Sequence, residues 1–207
     1  MTASASVPLL RAQGLSCRRG ERVLFSGLDV TLLPGRLTAL TGPNGSGKST
    51  LMRILAGLDA PDSGQVQHAN DDDREGRSCL HYYGHRDGLR EALSARENVE
   101  FLTVLLGGGG LNAKDALARL GAARLIDLPV RVLSAGQRRR VALARLLTAP
   151  RPLWLLDEPL TALDAAGQAL IADLVREHIA GGGSALVATH QALGVGGDTL
   201  RLGGAGS

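Results

Sequence analysis

The chain has 207 residues, enough for one domain with a sub-lobe at about 150 residues per domain. Apolar residues make up 44 % and the charge balance is only +3, so a core can be buried without disulfides, and no Lys/Arg stripe with interleaved aromatics points to nucleic acid. No uncharged apolar run of about 18 residues exists to cross a membrane, and Cys17 and Cys79 stand far apart without a CxxC, which excludes a covalent haem motif and a paired-cysteine zinc site. The start, MTASASVPLL, lacks the basic and apolar regions of a signal peptide, so a reduced, cytoplasmic compartment is expected.

Along the chain, short apolar runs alternate with helical patterns, which predicts an α/β fold. Leu37 to Thr41 reads as a strand that runs straight into glycines, and Lys48 to Ala56 as a helix ended by Gly57. The charged patch Asp71 to Glu75 reads as a solvated loop, and Ser78 to Tyr83 as the next strand. The middle then turns helical. Ser94 to Leu106, Asn112 to Leu120 and Ala135 to Leu147 each carry a helical pattern, with four glycines at 107–110 between the first two. Strand character returns at Leu153 to Leu156, followed by a helix from Ala165 to His178, a glycine turn at 181–183, a strand at Ala185 to Ala188 and a frayed tail. A helical lobe, over about 85–149, is therefore inserted into a core of about 7–84 and 150–203 within a single domain.

The segment Gly42, Pro43, Asn44, Gly45, Ser46, Gly47, Lys48, Ser49, Thr50 fits G-x-x-x-x-G-K-[ST] between a strand and a helix. Glycines let successive amides approach an anion, and the following helix adds its N-terminal partial charge. Lys48 should reach the β- and γ-phosphates of ATP, and the Ser49 hydroxyl should ligate Mg2+. A second element supports this one. In Leu153 to Glu158, four apolar residues precede Asp157 and Glu158, which suits a strand buried on both faces with acids at its C-terminal end, where such sheets bind ligands. Asp157 is expected to hold Mg2+ through water, and Glu158 to face the attacking water as general base. Ser134 and Gln137 match a capping box at the start of the third helix, and Arg138 to Arg140 read as a solvated helix face.

These pieces, in this order and spacing, resemble the ATP-binding subunits of ABC transporters from about Val7 to Leu202. The resemblance implies a P-loop NTPase (RecA-like) core with an antiparallel β region and a helical subdomain. LSAGQ at 133–137 is similar to the family signature, with Ala135 where glycine is usual. It implies that Ser134, Gly136 and Gln137 close over nucleotide held by a second copy. Leu160 to Asp164 is similar to the loop that crosses the dimer seam, and His190 to the switch histidine at the γ-phosphate. The usual glutamine of the loop before the helical lobe falls on His85. Glutamine offers a carbonyl at any pH, whereas histidine offers a lone pair only when neutral, so turnover should fall on the acid side. An aromatic usually stacks on adenine near position 19, where this chain has Arg19.

The segments LSCRRGERVLFSGL at 15–28, YYGHRDGL at 82–89, LSAGQRRRVALARL at 133–146 and PLWLLDEPLTALD at 152–164 resemble more closely the haem-exporter ATPase of cytochrome c maturation. That implies an ATPase coupled to haem export, working as a homodimer with integral membrane subunits. It would sit peripherally on the cytoplasmic face of the bacterial inner membrane, touching the membrane only through partners and binding no nucleic acid. The ATPase of another ABC exporter or importer, and a soluble ABC protein acting on ribosomes or DNA, stay open as alternatives.

Overall fold

The computed structural model describes residues 7–69, 79–189 and 194–203. Asp71 to Glu75, Ser78, His190 and residues 204–207, all subjects of expectations above, lie outside them. Strands β1 (Leu10–Arg19) and β2 (Arg22–Leu32) form a hairpin, and β4 (Ser63–His68) pairs on the other edge of β1, giving an antiparallel sheet ordered β2-β1-β4. Leu10, Ala12, Leu15 and Cys17 of β1 are buried. The register slips between Ala12 and Leu15, where the Gly14 amide donates to Asp29 Oδ1 at 2.7 Å.

The second sheet is parallel: β3 (Leu37–Thr41), β5 (Leu80–Tyr83), β6 (Leu153–Asp157), β7 (Ser184–Ala188) and β8 (Asp198–Arg201), ordered β5-β6-β7-β3-β8. Every residue of β6 and β7 is buried, which is why both read as unbroken apolar runs. Side chains alternate between two cores. Leu153, Leu155, Leu186 and Leu40 pack with helix α1 (Lys48–Leu55) and the antiparallel sheet, while Trp154, Leu156 and Val187 pack with the helices of the inserted lobe and of the C-terminal half.

Register positions the functional loops. Both Leu40 of β3 and Asp157 of β6 pair with Ala188 of β7. The turn after Thr41 and the acids ending β6 are therefore level, two strand spacings or roughly 10 Å apart, at the C-terminal edge of the sheet.

Helices α2 (Ala95–Leu105) and α3 (Ala113–Arg119) begin at the N-caps Ser94 and Asn112, and α6 (Ala165–Ala180) begins at Asp164. The helix expected to run from Ala135 to Leu147 is instead two: α4 (Ala135–Leu143) and α5 (Arg145–Thr148). The Ala144 amide bonds back to Val141 O at 3.1 Å, an i−3 contact that tightens the turn, and Arg145 beyond it donates from Nη2 to Tyr82 O at 3.0 Å.

His81 of β5 is 2 % exposed, and its Nε2 lies 2.6 Å from Ala149 O, so the neutral ring donates to that carbonyl. Burial pushes its pKa down to about 4. The unfolded chain takes up this proton below about pH 6.5 while the fold resists it, so stability falls as pH drops from 6.5 towards 4. Between pH 7.5 and 5 the loss from this ring is about 2 kcal/mol. Urea unfolding at the two pH values should show it, and His81→Gln, which keeps an N–H donor but does not titrate, should flatten the dependence. An equal pH slope in that variant would refute the assignment.

Candidate nucleotide-binding site

The loop between β3 and α1 is built for close backbone approach. Gly42 has a φ of 146°, and a Cβ there would stand 2.3 Å from Leu202 O, so no other residue fits. Gly47 caps α1 in the left-handed conformation with no side-chain bond, so no capping side chain covers the amides of the first turn. Lys48 is 8 % exposed, and its Nζ arches back over the loop, donating to Gly42 O at 2.8 Å and to Pro43 O at 3.1 Å. A cavity of about 460 Å³ opens there. It is lined by Asn44, Gly45, Gly47, Lys48, Ser49 and Thr50 from the loop, by Asp157 and Glu158 from the end of β6, and by Arg19, Arg22 and Leu24 from the β1–β2 hairpin.

Asp157 is 4 % exposed and turned to this cavity, as the sheet register requires. Among the described residues no cluster of three or more His, Cys, Asp or Glu side chains stands together, so a cation in this cavity would meet at most the carboxylates of Asp157 and Glu158 with the hydroxyls of Ser49 and Thr50. Hard oxygen donors, few in number and beside a phosphate loop, fit Mg2+, which keeps waters and shares phosphate oxygens rather than filling a protein cage. Ser49 and Asp157 would hold it.

Glu158 follows with a φ of 52°, the left-handed region, and its amide donates to Ala188 O at 2.9 Å. A non-glycine residue held so costs about 1–3 kcal/mol, and such strain clusters at functional sites. Its carbonyl accepts a bond from Arg139 Nη1.

A second cavity, about 650 Å³, is lined by Ser134, Gly136, Gln137, Arg140, Ala162, Leu163 and Asp164, together with Gly121, Ala123, Arg124 and Leu125. The expected capping box is present: Gln137 N donates to Ser134 Oγ at 3.3 Å and Ser134 N to Gln137 Oε1 at 2.9 Å. Gly136 has a reason within the chain as well, since a Cβ there would lie 2.5 Å from Ala162 O. Asp164 accepts from Gly167 N at 2.8 Å and from Arg140 Nη2 at 2.6 Å, and the Gly167 amide, then Arg140, hold its carboxyl below the usual range. This cavity shares no lining residue with the phosphate cavity.

The structure thus gathers Lys48, Ser49, Asp157 and Glu158 in one place, and Ser134, Gly136, Gln137 and Asp164 in another. His85 joins neither. It is exposed and lines a third cavity with Asp87, Leu133, Ala135, Arg138, Arg139 and Ala162. The reading of Arg138 to Arg140 as a solvated face is overturned. All three are half-buried and bonded: Arg138 to Glu91 Oε1 and Leu133 O, Arg139 to Glu158 O, and Arg140 to Asp164. Arg22 was also missed; its Nη1 reaches within 3.6 Å of the position a Gly45 Cβ would take.

A phosphate loop at the C-terminal edge of a parallel sheet, with the buried Asp157 and half-buried Glu158 two strands away, defines a P-loop nucleotide-binding protein. The ABC transporter family profile matches residues 25–161. The cytochrome c biogenesis ATP-binding export protein CcmA of Nitrobacter winogradskyi is 49 % identical over 197 residues, spanning 95 % of this chain and 98 % of that protein. Its counterpart in Bradyrhizobium diazoefficiens is 47 % identical over 94 % of this chain and 98 % of that protein. Among solved structures, a dimeric ATP-binding cassette in a post-hydrolysis state bound to ADP and Pi superposes with a TM-score of 0.74 at 28 % identity, over 88 % of each chain. An ATP-binding subunit of an ABC transporter shares the fold, with a TM-score of 0.77 at 23 % identity, over 88 % of this chain and 79 % of that one. The chain belongs to the ABC transporter family and, within it, to the cytochrome c biogenesis ATP-binding export proteins.

Proposed function

We propose that this chain hydrolyses MgATP as the nucleotide-binding subunit of an ABC exporter serving cytochrome c biogenesis, with haem as the cargo of that exporter. The single cavity that collects Lys48, Ser49, Asp157 and Glu158 on a chain so close to its relatives carries the reading. The loop amides and Lys48 bind the phosphates and meet the charge that develops on the transferred group. Ser49, and Asp157 through water, would hold Mg2+, whose charge would offset that of the phosphate oxygens. Glu158 takes the proton of the attacking water, worth typically about 10²–10⁴-fold. His190 is assigned to the γ-phosphate on the resemblance of its sequence position. Because the signature cavity and the phosphate cavity are separate, one chain does not close Ser134 and Gly136 over its own nucleotide; a second copy supplies them. Among the described residues no helix is long and apolar enough to cross a membrane. On the likeness to exporter ATP-binding proteins, integral membrane subunits would form the passage, with this chain peripheral on the cytoplasmic face of the inner membrane.

A bacterium deleted for this chain should lose haem-stained c-type cytochrome bands, and a tagged copy should restore them and co-purify with integral membrane subunits. Normal c-type cytochromes in the deletion strain would overturn the exporter assignment, and salt-sensitive nucleic-acid binding by the pure chain would favour the soluble alternative.

His85, beside Asp87, Arg138 and Arg139, is proposed to couple the nucleotide site to the helical lobe. His85→Ala should lower turnover while leaving ATP affinity within twofold of the parent; unchanged turnover would sink the idea.

A further inference from the structure

Three residues of α4, spaced i, i+3 and i+4, meet the loop from Glu158 to Asp164: the Gly136 backbone against Ala162, Arg139 on Glu158, and Arg140 on Asp164. That spacing places them on one face of one helix. The middle contact is the one closest to the chemistry. Arg139 donates from Nη1 to the main-chain carbonyl of Glu158, and its guanidinium lies over the ring of Tyr83 at 5.4 Å, which also carries Arg145 at 5.0 Å. Tyr83 is fully buried, so Arg139 is braced from below by a ring that does not move with solvent.

From this geometry we infer that Arg139 is a positioning residue for ATP hydrolysis: it pins the main chain of Glu158 so that the carboxylate is presented to the water. The inference rests on Glu158 being the general base. Glu158 sits at a φ of 52°, a conformation that persists only when its surroundings enforce it. Three groups enforce it, the Thr161 amide also donating to its carbonyl at 3.3 Å. Ala188 of β7 accepts from its amide, and Arg139 of α4 donates to its carbonyl. Without the Arg139 bond the carbonyl is left to the longer bond from the Thr161 amide, and the peptide can relax and swing the carboxylate out of line. Nucleotide binding does not depend on this bond, because Arg139 is not among the residues that line the phosphate cavity. Since Arg139 lies on the helix that Ser134 caps, the same bond ties the tip that would read the partner's nucleotide to the base serving the chain's own.

Arg139→Met, Arg139→Lys and Glu158→Gln should be compared on the full chain for kcat, KM, ATP affinity and thermal midpoint. Arg139→Met keeps the length of the side chain and removes the donor. It should lower kcat tenfold or more while ATP affinity stays within twofold. Arg139→Lys keeps a cation able to donate to one carbonyl and should recover kcat to within threefold of the parent. A methionine variant with kcat within twofold of the parent, a loss of turnover matched by an equal loss of affinity, or a lysine variant no better than methionine would overturn the inference. If the methionine variant does not fold, Arg139→Gln, a polar helix former too short to reach the carbonyl, makes the same comparison. Glu158→Gln separates the two ideas. Substantial turnover in that variant removes the base itself, whereas its loss beside an unaffected Arg139→Met removes Arg139 alone.

Discussion

Glu158→Gln is expected to abolish ATP hydrolysis while leaving ATP bound. The glutamine amide has the shape of the carboxylate but accepts no proton from water near neutral pH, so a loss of at least about 100-fold in kcat follows from the usual worth of a positioned base. The substitution is conservative everywhere else. The contacts that hold this residue at its φ of 52°, to Ala188 O and from Arg139, use the main chain and survive the change. Removing a negative charge beside a triphosphate cannot weaken its binding electrostatically, so ATP affinity should be equal or tighter. With hydrolysis blocked and nucleotide retained, two copies should stay closed, and size-exclusion chromatography with ATP should show a dimer that the parent chain forms only transiently. Retention of half the parent turnover would refute the role of Glu158. A variant that is inactive yet monomeric at saturating ATP would leave the base in place and remove the two-copy sandwich.

Much of this site was legible from sequence because its physics is local. The phosphate loop needs glycines in sequence order, and β6 needs an unbroken apolar run to lie buried on both faces; each leaves its mark within a single short segment. The N-caps Ser94, Asn112, Ser134 and Asp164 are likewise short-range devices. What escaped depends on distant neighbours. The strands β1, β2 and β4 carry arginines and glycines that blur a period of two, and only their pairing with one another hides Leu10, Leu15 and Val30; pattern reading found none of them, and an antiparallel region entered through the resemblance alone. β8 is mostly exposed and short, so it gave no signal. The arginine run looked solvated because charge predicts exposure only when no acceptor is near. Here Glu91, the Glu158 carbonyl and Asp164 are supplied from 19 to 47 residues away. The signal that existed was the i, i+3, i+4 spacing from Gly136, which marks a helix face with a single direction. His85 shows the opposite case. Motif counting assigned it to the nucleotide site, while the fold sets it in a cavity of its own beside Arg138 and Arg139.

Lys48→Ala should act on binding itself, the reverse of the glutamate variant. Lys48 is buried, and its ammonium is held at the mouth of the phosphate loop by the carbonyls of Gly42 and Pro43. Carbonyls hold the cation in place without neutralising it, so its full charge is available to a phosphate that reaches the loop. A hydrogen bond to a charged group contributes about 1.5–3 kcal/mol, which corresponds to roughly 10- to 150-fold in affinity for each bond lost. Alanine removes the cation and takes the Lys48 bond from two loop carbonyls, of which Pro43 O keeps the Ser46 amide, so the loop is less well ordered for any anion. Titration of the pure chain with ATP should therefore show affinity reduced at least tenfold, with thermal midpoint measured in parallel to separate loss of binding from loss of fold. Hydrolysis would fall as a consequence, but no ATP-loaded dimer should accumulate, since nothing holds the nucleotide for a second copy to cover. The two variants thus give opposite outcomes at one cavity: binding without turnover for Glu158→Gln, and loss of both for Lys48→Ala. Unchanged ATP affinity in Lys48→Ala would place the triphosphate elsewhere on the chain and remove the assignment of the loop from Gly42 to Thr50.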